Sequence, residues 1–107
     1  DLCALVDYEL HNFDRINGHT FNAGGGLVSS VSLNELTSIC ATVTGNKVKE
    51  QVVEENRKGD IPIYITDNTR INHHIGWSPQ KNITEIVEDI FQWINKNEKQ
   101  LAQILNV

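Results

Sequence analysis

Three residues near the middle of the chain carry the clearest chemistry. Arg57 has a planar guanidinium whose donors match phosphate oxygens in pairs. Asp60, three residues on, offers a carboxylate that accepts hydrogen bonds from sugar hydroxyls. Gly59 between them permits a bend that most residues resist. These types at this spacing suit a grip on a phosphorylated, polyhydroxylated ligand. For Arg57 the competing reading is a surface salt bridge with Glu54 or Glu55.

The other reactive side chains form no recognisable centre. His11, His19, His73 and His74 lack the i, i+4 spacing of a helical metal site, and adjacent His73 and His74 point to different helix faces. They read as surface residues, and no metal site is expected. The carboxylate pairs Glu54-Glu55 and Glu88-Asp89 read as solvated charges, because nothing in the sequence separates their roles into acid and base. Ser29, Ser30 and Ser32 lack the G-x-S-x-G setting of a nucleophile. No catalytic residue is assigned. The run Gly24-Gly25-Gly26 matches neither G-x-x-x-x-G-K-S/T nor a G-x-G-x-x-G that opens a helix. It reads first as a flexible connection and second as the rim of a ligand site.

Hydrophobic periodicity supplies the elements that would position these groups. Leu2, Leu5, Val6, Leu10 and Phe13 recur at helical spacing, so residues 1–13 read as an amphipathic helix. Residues 19–23 read as a short strand running into the glycines. Ser32-Leu33-Asn34-Glu35 is a capping box, followed by Leu33, Leu36, Cys40 and Val43 on one buried face and by Gly45 at the helix end. Residues 47–53 read as a strand, and Ile61, Ile63 and Ile65 alternate as in a short strand. Asp67 reads as a helix N-cap and Gly76 as the residue past that helix's end. From Asn82 onward, Ile83, Ile86, Val87, Ile90, Ile94, Leu101, Ile104 and Leu105 mark a last helix, with a break expected near 95–97. The order predicts an α/β fold: a small, lopsided, helix-rich domain with short strands.

Composition bounds the rest. The 107 residues are one domain's worth of chain, with a net charge of -5 and 39% hydrophobic residues. The acidic balance and the lack of a basic stripe argue against a nucleic-acid partner. No run of about 18 apolar residues is present to span a membrane. The chain opens at Asp1 with an apolar helical pattern already under way, which reads as a piece of something longer. Cys3 and Cys40 read as reduced, buried thiols of a cytoplasmic protein rather than as a disulfide.

Several stretches taken together resemble one family. They are Phe21-Asn22-Ala23-Gly24-Gly25-Gly26, Ser30-Val31-Ser32-Leu33-Asn34-Glu35-Leu36, Arg57-Lys58-Gly59-Asp60, Tyr64-Ile65-Thr66-Asp67, Gly76-Trp77-Ser78-Pro79 and Ile90-Phe91-Gln92-Trp93-Ile94. Their succession resembles the C-terminal, substrate-binding part of extended short-chain dehydrogenases/reductases that act on nucleotide sugars. The resemblance covers nearly the whole chain, residues 1–107. It implies a partner lobe, absent from this chain, that binds NAD and carries a Tyr-x-x-x-Lys pair. It also implies that Arg57 holds the diphosphate and Asp60 the nucleoside ribose of a nucleotide-sugar substrate. Homo-oligomers are compatible with it. The chain departs from the family's full pattern: Tyr8 is followed four residues later by Asn12 and Tyr64 by Asn68, and no Gly-rich dinucleotide turn is present. Lys58 stands where proline is common in such motifs. A stand-alone, non-catalytic binding module is the alternative, as is the same lobe from an epimerase or dehydratase relative.

Overall fold

A computed structural model describes residues 1–51 and 59–105. The chain forms two compact units that alternate along the sequence. The first comprises Asp1–Ser30 and Ile61–Asn82, the second Val31–Asp60 and Ile83–Val107.

In the first unit, helix α1 spans Leu2–His11 and a single turn, α2, spans Phe13–Ile16. The expected helix over 1–13 is thus split at Asn12, which leaves the helical region at φ -126°. The Asn12 side chain donates to the Tyr8 carbonyl at 2.8 Å, the local competition with backbone bonding that disfavours asparagine inside helices. Helix α4 spans Thr69–Ile75 and ends on Gly76 in the left-handed region, as the glycine signal predicts. The start differs by one residue: Asn68, not Asp67, is the N-cap. The core of this unit is Leu5 on α1 and Ile71 on α4, both buried. The Asp1 carboxylate accepts from the backbone N–H groups of Gln80 and Lys81 at 3.2 and 3.1 Å, tying the start of α1 to the segment after α4.

The second unit pairs α3 (Leu33–Thr44) with α5 (Ile83–Leu105). The capping box at the head of α3 is complete. Glu35 N–H donates to Ser32 Oγ at 3.3 Å, and Ser32 N–H donates to Glu35 Oε2 at 2.7 Å. Gly45 ends the helix at φ 73°. Of the apolar face read from sequence, Leu36, Cys40 and Val43 are half-buried, and Leu33 is exposed. Val87 is the buried residue of α5. That helix runs unbroken through 95–97. There Asn97 turns its side-chain amide onto the Trp93 carbonyl at 2.7 Å, so it bonds within the helix instead of ending it.

Among the described residues there is no strand, so the short strands of the α/β expectation are not seen. Residues 19–23, 47–51 and 61–65 have no regular structure, while 52 and 53 of the expected 47–53 strand lie outside the described residues. Alternation alone does not make a strand, because the backbone groups need a paired ladder. Both cysteines are free, but Cys3 is exposed and Cys40 only half-buried, which corrects the expectation of buried thiols. Cys3 lies outside the α1 face that contains Leu5. Among the described residues no helix is long and apolar enough to cross a membrane.

Candidate functional site

The first unit contains an open cleft of about 880 Å³. Gly25 and Gly26 form one side, residues 65–69 another, and Trp77 to Asn82 the third. Its shape depends on one cross-chain pairing. The Asn68 side chain accepts from Gly24 N–H at 3.1 Å and donates to the Gly24 carbonyl at 2.8 Å. The amide so mimics a neighbouring strand, satisfying both backbone groups of Gly24 at once.

The glycines are required by close approach. A Cβ on Gly24 would sit 2.5 Å from Thr66 Oγ1 and 3.0 Å from Thr66 Cβ. Gly26 has φ 64°, in the left-handed region that favours glycine, and lies against the Asn68 amide. Gly25 and Gly26 line the cleft, and residues 24–30 connect without helix or strand, as the first reading of the triple glycine expects.

With the Asn68 side chain committed to Gly24, the head of α4 is capped by its neighbour. Asp67 Oδ1 accepts from the Thr69 backbone N–H at 2.9 Å and from the Thr69 hydroxyl. The hydroxyl bond first, then the backbone bond, holds the Asp67 carboxyl below its usual range. The cleft therefore carries a settled negative charge at Asp67. On the far side the Asn72 amide donates to the Trp77 carbonyl at 3.2 Å, fixing the exit from α4. Asp67, His73, Lys81 and Trp77 all line the cleft, which therefore mixes both charge signs with an aromatic ring.

Of the residues singled out from sequence, Asp60 lies in the second unit and is exposed. Arg57 lies outside the described residues, so its approach to Asp60 is not among the observed contacts. Asn68, Thr66 and Trp77 escaped a reading based on reactive types. Thr66 and Trp77 stand inside the quoted motifs without a role assigned to them, and Asn68 directly follows the first of these motifs.

Comparison with known proteins points to one class, the nucleotide-sugar epimerases. The chain is 28% identical over 93 residues to CDP-paratose 2-epimerase of Salmonella typhi, covering 87% of this chain and 27% of that protein. It is 29% identical over 79 residues to UDP-glucose 4-epimerase of Neisseria meningitidis serogroup B, covering 74% of this chain and 22% of that protein. The UDP-glucose 4-epimerase of Drosophila melanogaster is 26% identical over 89 residues, 83% of this chain and 25% of its own length. The chain thus spans about a quarter of the length of these relatives. The resemblance read from the motif succession is therefore the one the comparisons return. No family model matches the chain, and no solved structure gives a significant match.

Proposed function

We propose that this chain is the substrate-binding lobe of an NAD-dependent nucleotide-sugar epimerase. The observation that carries the reading is the coincidence of the motif succession with the stretch shared with CDP-paratose 2-epimerase. In this reading Arg57 binds the diphosphate through paired donors and Asp60 accepts from the ribose hydroxyls. Binding at this remote end positions the sugar for chemistry elsewhere, so its energy serves orientation. NAD and the proton-handling residues belong to a partner lobe, and the chain's own residues supply no hydride acceptor.

Within this reading the substrate is a CDP-sugar of the paratose–tyvelose type. The wording N-x-G-G-G and S-V-S-L-x-E-L supports that subtype, and UDP-glucose 4-epimerase and dTDP-glucose 4,6-dehydratase are the neighbouring alternatives. The decisive experiment is steady-state kinetics of the polypeptide that carries this lobe together with the NAD lobe. Arg57→Ala is expected to raise KM for the nucleotide sugar at least tenfold; an unchanged KM removes Arg57 from the site. Turnover of UDP-glucose but not CDP-paratose would replace the subtype and keep the class.

A further inference from the structure

In the second unit one helix outruns its partner. Helix α3 has 12 residues, about 18 Å, whereas α5 has 23, about 34 Å. The end of α3, at Thr42 and Val43, stands beside residues 84–95 of α5. Among the described residues the unit has no third helix to cover the rest. The uncovered surface is apolar: Ile90 is 53% exposed and Ile104 74%.

α5 also carries a regular seam. From Ile83, steps of four and three residues alternate through Val87, Ile90, Ile94 and Asn97 to Leu101 and Ile104. About three heptads of that spacing are what a helix needs to interlock with a second helix along its length. The first part of the seam is used within the unit, where Val87 is buried. Its one polar member, Asn97, is half-buried, and its amide donates one hydrogen to the Trp93 carbonyl. The other amide hydrogen and the oxygen suit a second asparagine amide facing it.

We propose that residues 90–104 of α5 pair antiparallel with the same stretch of a second copy of this chain, about a two-fold axis at Asn97. The spacing favours self-pairing. Ile90 and Ile104 each lie seven residues from Asn97, so they meet across the axis, and Ile94 meets Leu101. A single asparagine in an apolar seam fixes the register, because any slip sets its amide against hydrocarbon. The direction follows from α3, which stands beside the first half of α5. Parallel pairing would crowd both copies of α3 at one end, whereas antiparallel pairing separates them. The seam is about 21 Å long and buries less than a standard interface, so the dimer is reversible.

Sedimentation equilibrium of the full 107-residue chain tests this, with Cys3→Ser and Cys40→Ala removing its own thiols. A reversible monomer–dimer equilibrium is expected. Leu101→Glu and Ile104→Glu should each weaken it at least tenfold. Leu2→Glu and Leu10→Glu, at exposed apolar positions of α1, should leave it unchanged. For the orientation, Ile90→Cys and Ile104→Cys proteins are oxidised separately and as an equal mixture. The mixture should yield a disulfide-linked dimer that neither protein yields alone. A monomer at every concentration, loss of association through the α1 variants instead, or cross-linking of each protein alone overturns the proposal. If Leu101→Glu loses helix by circular dichroism, Ile104→Glu and the cross-link decide.

Discussion

At the residue scale, Asn68 is the side chain on which the candidate cleft depends. It answers both backbone groups of a residue 44 positions away. Asn68→Ala leaves the Gly24 N–H and carbonyl without these partners in a part-buried place, at a cost of about 1–3 kcal/mol. Asn68→Asp keeps the acceptor but sets a carboxylate oxygen against the Gly24 carbonyl, so it should also be less stable than wild type. Urea unfolding of the three proteins measures the order. Gly24→Ala probes the same contact from the other side. Its new methyl would meet Thr66 at distances that real side chains do not show, so the segment must shift, costing about 1–3 kcal/mol. An alanine variant as stable as wild type would contradict the close approach.

Among the elements, α3 is the one whose start and stop were plainest in the sequence. Ser32→Ala removes the side-chain half of its capping box and should cost about 1 kcal/mol, read by thermal or urea unfolding. The bond from the Ser32 backbone, then that from its hydroxyl, holds the Glu35 carboxyl below its usual value. A group lowered in the folded state stabilises above its unfolded pKa and loses that contribution as pH falls through the folded one. The stability of the wild-type chain should therefore decline on the acid side of the ordinary carboxylate range, and Glu35→Gln should flatten that decline. Helices were legible because caps, glycine stops and 3.6-residue spacing are local. Asp67 does supply the side-chain bond at the head of α4, but the backbone N-cap is Asn68, whose own side chain goes to Gly24, a contact no local pattern reveals. The strands over 19–23 and 61–65 were misread for the complementary reason: alternation predicts a face, whereas a strand needs a partner. The site divides the same way. Arg57 and Asp60 stand as an expectation from residue type and spacing, while the contacts of Asn68 with Gly24 and of His74 with His19 depend on folding.

For the whole molecule, the balance of surface decides behaviour. Only Leu5, Ile71 and Val87 are buried apolar residues among those described. Val28 is 96% exposed, and Leu27, Ile63 and Tyr64 are each more than 70% exposed. So much exposed apolar surface on a small chain marks either a docking surface or a tendency to associate. The isolated chain should bind a hydrophobic dye and sediment as more than a monomer at high concentration. A dye-silent monomer would contradict this. The alternation of the two units along the sequence has a consequence for how the chain is made. Synthesis runs from the N-terminal to the C-terminal side, yet the first unit closes only when 61–82 follow, and the second only when α5 is complete. A nascent chain that has reached residue 60 therefore holds the opening half of both units and the closing half of neither. Premature termination or cleavage in that middle stretch disables both together, where a cut between two consecutive domains would spare one.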